Sequence, residues 1–99
     1  MVDFAYRVRG YVEGMTEAEF ESNQMKQDAV TYRVGVIGEA ARNVSAETTE
    51  AIDLDWRGIT GMRNRLFHGY GEVDVHLLWK TVMEYLPPMI VTLERYLAP

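Results

Sequence analysis

Apolar residues recur at intervals of three and four along almost all of this 99-residue chain, and no stretch alternates apolar with polar side chains as a half-buried strand requires. That single pattern restricts the fold to packed helices. Phe4, Val8, Tyr11, Val12 and Met15 share one helical face, with Gly14 at its end. Thr16 and Glu19 form a capping box, flanked by Met15 and Phe20 as a hydrophobic staple, and predict a short helix reaching Ser22-Asn23. The longest predicted helix runs from Gln24 to Asn43. Met25, Ala29, Tyr32, Val36 and Ala40 line one face of it, and Val30, Val34, Ile37 and Ala41 line a neighbouring one. So wide a stripe predicts a central helix touched on two sides. Gly35 and Gly38 are costly there unless another backbone packs close.

Ser45 predicts a cap for a short helix over Ala46–Ala51. Asp53 or Asp55 then starts a helix through Trp56, Ile59, Met62, Leu66 and Phe67, stopped by Gly69 and Gly71. Asp74 caps another, with Val75, Leu78, Val82 and Leu86 inward, and Pro87-Pro88 is expected to break it. A last helix turns Met89, Leu93, Tyr96 and Leu97 inward. The expectation is an all-α, antiparallel bundle of four to five helices in one domain, residues 1–99.

Composition narrows the chemistry. An apolar share of 47% with 25% charged residues excludes disorder as the main state. The absence of cysteine removes disulfides, thiolate nucleophiles and Cys-based metal sites, and favours the cytoplasm. No apolar segment is long enough for a membrane span, and the N-terminus lacks the apolar core of a signal peptide. The net charge of −5 argues against a protein that coats nucleic acid, but the charge is uneven. Trp56–Gly71 carries three arginines, one histidine and no acid, while the other 83 residues hold seven basic and fifteen acidic side chains. An acidic body with one basic island suits a local anion site.

Within that island stands Arg63-Asn64-Arg65-Leu66-Phe67-His68-Gly69-Tyr70. On a helix, Asn64 and His68 share a face and Arg63 lies about 100° round from Asn64. A guanidinium fork suits phosphate, and an imidazole moves protons near neutral pH. Together they suit binding a phosphodiester and shuttling a proton without a metal or cofactor. The Arg-x4-His spacing alone is weak, and a surface arginine beside a helix-terminal histidine is the plain alternative. The other candidates are weaker. His76 reads as a solvated first-turn residue, Asp53 and Asp55 as caps, Glu39 with Arg42 as a surface ion pair, and Trp56 and Trp79 as core or interface anchors.

Arg63-Asn64-x-x-x-His68-x-Tyr70, preceded by Ile37-Gly38-Glu39-Ala40-Ala41 and followed by Leu86-Pro87-Pro88, resembles the HepT family. Those proteins are HEPN-domain toxins of toxin–antitoxin pairs with a minimal nucleotidyltransferase. The resemblance runs from Val12 to Leu97, with a first helix shorter than the family's. It implies a homodimeric helical bundle whose two motifs face one another across a cleft. It also implies metal-independent cleavage of RNA, tRNA among the substrates. Arg63 and His68 would be the catalytic pair, Asn64 and Arg65 supporting polar, RNA-binding residues, and Tyr70 the acceptor of AMP from the antitoxin. No membrane or DNA partner is expected. Whether His68 serves as base or acid stays open. A non-catalytic nucleotide- or substrate-binding partner of a nucleotidyltransferase is the second reading, and a purely structural helical dimer the third.

Overall fold

Five short-range capping devices divide the chain into helices. The computed structural model describes residues 1–67 and 72–98. Its helices are α1 (Val2–Val12), α2 (Glu17–Glu21), α3 (Gln24–Arg42), α4 (Ala46–Ala51), α5 (Trp56–Leu66), α6 (Val75–Lys80) and α7 (Leu86–Leu97), with a π-helical segment, Thr81–Tyr85, between the last two. No strand occurs among the described residues, and the chain is all-α as expected.

The caps are side-chain oxygens that accept otherwise unpaired first-turn N–H groups. Thr16 and Glu19 form the reciprocal box at α2. Asn23 accepts from Lys26 N–H at α3, Ser45 from Thr48 N–H at α4, Asp55 from Gly58 N–H at α5, and Asp74 from Leu77 N–H at α6. Gly14, at φ +76°, makes the left-handed turn between α1 and α2.

Packing centres on α3, with α1 and α5 against it on two sides. Phe20, Val8, Val30, Leu66, Leu78, Val82 and Ile90 are wholly buried. Phe20 packs its ring 5.3 Å from that of Trp79, which joins α2 to α6. Trp56 donates its indole N–H to the carbonyls of Thr49 and Ile52 and so closes α4 onto α5. Both tryptophans are therefore intramolecular anchors. Buried Gln27 is satisfied by the Phe20 and Glu21 carbonyls, each at 2.9 Å.

Gly38 is required by a close approach. A Cβ there would stand 3.1 Å from the Ile59 carbonyl oxygen on α5, whereas one at Gly35 would meet nothing within 4 Å. Gly38 has the close backbone neighbour expected of both glycines, and Gly35 does not.

Three further expectations about the helices are corrected by their packing. Pro87-Pro88 does not break the last helical stretch. Lys80, Thr81, Tyr85 and Leu86 all keep right-handed helical backbone, so the chain coils from Val75 to Leu97. The prolines sit at the start of α7, and the wider π turn before them accommodates their missing N–H donors. On α3, the Val30–Ala41 face is buried, but Met25 and Tyr32 on the other face are 83% and 65% exposed. α1 and α5 flank the helix without covering that line. Tyr96 and Leu97 are also exposed, at the edge of an open cleft beside Met1, Val2 and Trp56, because α7 runs on past its last core residue, Leu93.

His76 and Glu17 join α6 to α2 through a 2.7 Å contact between Nδ1 and Oε1. The hydrogen bond to Glu17, aided by its negative charge, raises the His76 pKa above its ordinary value of 6.5. A raised folded-state pKa means stabilisation that is fully present below pH 6.5 and lost as pH rises through the folded value. Thermal melts should therefore separate wild type from Glu17→Gln more at pH 5.5 than at pH 8.5. An equal separation at both would remove this ion pair from the stability of the fold.

Candidate functional site

The basic island begins on α5, whose last turn presents Arg63, Asn64 and Arg65, all exposed. Leu66, 1% exposed, anchors that turn in the core, so the arginines beside it are held by a buried neighbour. The Arg63 guanidinium lies over the Phe67 ring, 5.6 Å from its centroid. No ion pair among the described residues includes Arg63, and a cation–π contact leaves its donors available.

Arg65 stands about 200° round the helix from Arg63. It folds back to donate to the Gly58 carbonyl at 2.6 Å. It also edges a cavity of about 450 Å³ between α3, α5 and the Val75–Leu97 stretch. That cavity is lined chiefly by apolar side chains, among them Val34, Ile37, Ile59, Met62 and Met89. Arg63 and Arg65 therefore serve different sides of α5. Asn64 stands between them on the exposed surface.

The helix does not run through Phe67, as its apolar spacing predicts. It closes at Leu66, and Phe67 is extended, at φ −91° and ψ 126°. The reason lies across the chain. Phe67 forms an antiparallel bridge with Val73, and Asp74 donates its N–H to the Leu66 carbonyl at 2.7 Å. Tertiary pairing overrides the local helical pattern. The α-helix that would align Asn64 with position 68 thus ends at Leu66, two residues before it. His68 and Tyr70, with the stop glycines Gly69 and Gly71, lie outside the described residues. Phe67 and Val73 hold the two ends of the segment that contains them in sequence.

The weaker candidates resolve simply. Asp55 is a helix cap. Glu39 and Arg42 form an exposed ion pair at 3.8 Å, and Arg42 also reaches the Thr60 carbonyl. Among the described residues, no group of three or more His, Cys, Asp or Glu is placed to hold a metal ion, and no helix is long and apolar enough to cross a membrane. Chain-local reading missed one cluster, in which Arg33 of α3 lies against Phe4 and Tyr11 of α1. Its only sequence signal is the seven-residue spacing within each helix.

The family profile described as "Ribonuclease HepT-like" matches residues 1–96. A protein named "Probable ribonuclease HepT" in Thermococcus cleftensis is 36% identical over 72 residues, covering 72% of this chain and 66% of that protein. One named "Putative RNase MJ1380" in Methanocaldococcus jannaschii is 39% identical over 70 residues, covering 70% of this chain and 64% of that protein. One named "Putative RNase TTE0752" in Caldanaerobacter subterraneus is 29% identical over 79 residues, covering 79% of this chain and 70% of that protein. The chain thus spans about two thirds of the length of these curated relatives. No solved structure matches it significantly. With all but its last three residues covered by the profile, the chain belongs to the HepT-like ribonuclease family.

Proposed function

We propose that this protein is a metal-independent endoribonuclease toxin, acting on RNA with tRNA as the expected substrate. The observation that carries the reading is Arg63. It is an exposed guanidinium on the last turn of α5, in a stretch with three arginines and no acid, just before the segment holding His68 and Tyr70.

RNA carries its own nucleophile. The 2′-hydroxyl oxygen attacks the adjacent phosphorus, its proton leaves, and the 5′-oxygen departs and takes up a proton. A 2′,3′-cyclic phosphate and a 5′-hydroxyl end remain. The protein has only to position the sugar, move protons and stabilise the added charge on the phosphorane. Arg63 supplies the charge, His68 the proton transfer as base or acid, and Asn64 a polar contact beside them. Arg65, on the far flank of α5, would contact RNA only along a wider path. A homodimer would bring a second histidine to the cleft, so that one serves as base and the other as acid.

A minimal nucleotidyltransferase partner would silence the site through Tyr70. The phenolic oxygen gives up its proton and attacks the α-phosphorus of ATP, pyrophosphate leaves, and a bulky anion is added to the same basic stretch of sequence as Arg63. One experiment tests both halves. A labelled RNA should be cut to a cyclic-phosphate product, and a 2′-deoxy sugar at the cleavage position should block that cut. Adding the nucleotidyltransferase and ATP should stop cleavage and leave one AMP on the chain by intact mass, with Tyr70→Phe escaping both. Cleavage that tolerates the 2′-deoxy sugar would refute the mechanism. Nucleotide binding that depends on Arg63, without cleavage at any protein concentration, would favour the non-catalytic partner.

A further inference from the structure

Away from the Arg63 site, α1 and α3 interlock through two pairs of residues, each pair seven apart. Phe4 and Tyr11 lie on one face of α1, and Lys26 and Arg33 on one face of α3. The helices run antiparallel, so the pairs mesh. The Arg33 guanidinium carbon is 5.1 Å from the Phe4 ring centroid, and Arg33 Nε donates to the Tyr11 hydroxyl at 3.2 Å. Lys26 Nζ lies 5.9 Å from the Tyr11 ring centroid. Arg33 also lies 5.4 Å from the centroid of Tyr32, which is 65% exposed.

No ion pair among the described residues includes Arg33 or Lys26, and the two terminal nitrogens of Arg33 make no hydrogen bond there. Missing counter-ions are notable in so acidic a chain. The charge is in fact sorted by element. α1 and α3 together hold five basic and three acidic side chains, and Trp56–Gly71 holds three basic and none acidic. Everything else holds two basic and twelve acidic.

An arginine held among aromatic rings, its terminal nitrogens without a hydrogen bond among the described residues and an exposed tyrosine beside it, matches how proteins hold single-stranded nucleic acid. Bases stack on the rings, and cations track the backbone. We propose that the α1–α3 seam is a second contact for single-stranded RNA, in which Tyr32 stacks a base while Arg33 and Lys26 hold the flanking phosphates. The proposal rests on the reading of the protein as one that acts on RNA. The seam would hold the strand outside the cleavage site and affect affinity rather than chemistry.

The test uses a short oligouridine with 2′-O-methyl sugars, which cannot be cut, titrated at several salt concentrations. Tyr32→Ala should weaken binding about tenfold with an unchanged salt slope. Arg33→Gln should weaken it and lower the salt slope by about 0.7. Arg33→Lys should keep the slope and lose affinity, because a lysine lacks the planar stack. Tyr32 is exposed, so its variant should melt as wild type does, which keeps the test valid if Arg33→Gln fails to fold. On a cleavable RNA, Tyr32→Ala should raise KM about tenfold and leave kcat unchanged. Wild-type cleavage with unchanged KM and binding in Tyr32→Ala would overturn this contact and leave the nuclease reading intact. Tyr32-dependent binding with no cleavage by wild type would keep the contact and remove the nuclease. A smaller sedimentation mass in Tyr32→Ala, with RNA affinity unchanged, would instead assign the face to a second copy of the chain and overturn the proposal.

Discussion

Alanine in place of Arg63 is expected to slow RNA cleavage by about 10²–10³-fold at saturating substrate, the loss typical when one preorganised donor to a developing oxyanion is removed. The same substitution should shift the melting temperature by no more than about 3 °C, because surface changes rarely exceed ~0.5 kcal/mol. The combination follows from where the side chain sits. Arg63 is exposed, makes its contact over the Phe67 ring, and belongs to a turn held by buried Leu66. Arg63→Lys should recover part of the rate, since charge returns without the bidentate fork. Single-turnover cleavage of a labelled RNA, beside a thermal melt of each variant, gives both readings. A wild-type rate in Arg63→Ala would dismiss it as a catalytic residue, and a rate lost only together with the fold would make its role structural.

The largest stability effect is expected at Phe20, in the core rather than among the exposed residues of the α5 last turn. Phe20 is wholly buried and stacks its ring on Trp79, so truncation leaves a cavity at the joint of α2, α3 and α6. Phe20→Ala should cost about 3–5 kcal/mol. For a chain of this size that lowers the melting temperature by about 12 °C or more, out of a total stability of about 5–15 kcal/mol. Helical signal followed by circular dichroism reads the shift, and Trp79 fluorescence reports loss of the ring contact independently. A drop under about 4 °C would mean that α2 is not held through Phe20.

Much of this architecture is written locally, and local signals read well. Thr16-Glu19, Ser45, Asp55 and Asp74 announce their helices because a cap needs only a side-chain oxygen and an N–H two or three residues on. Gly38 is legible as a point of close approach, since glycine inside a helix is costly without a reason. What escapes is non-local. The end of α5 depends on Phe67 pairing with Val73, and no property of Phe67 itself encodes that. The π turn absorbs Pro87-Pro88 because the chain on both sides is held in helical packing, which overrides the breaking tendency of the pair. The open Met25–Tyr32 line depends on which flank of α3 its neighbours choose. The Arg33 seam needs the antiparallel register of α1 on α3 before Phe4, Tyr11 and Arg33 can be seen as neighbours.

The site is legible in a similar proportion. Arg63-Asn64-x-x-x-His68-x-Tyr70 is visible in sequence, and the family it resembles is the one to which the chain belongs. Helical spacing does not reveal that Arg65 turns back to Gly58, because that choice is made by the cavity wall it meets.

The most direct measurement is incubation of the purified protein with total tRNA in EDTA, wild type beside His68→Ala, with products resolved by end chemistry. Cleavage by the wild type with cyclic-phosphate ends, and a rate lower by about 10²–10⁴-fold in His68→Ala, is the result expected of a metal-independent nuclease with His68 moving the proton. Equal cleavage by both proteins would contradict the assignment of His68. Cleavage by neither, from a chain whose intact mass carries no AMP, would contradict the nuclease itself.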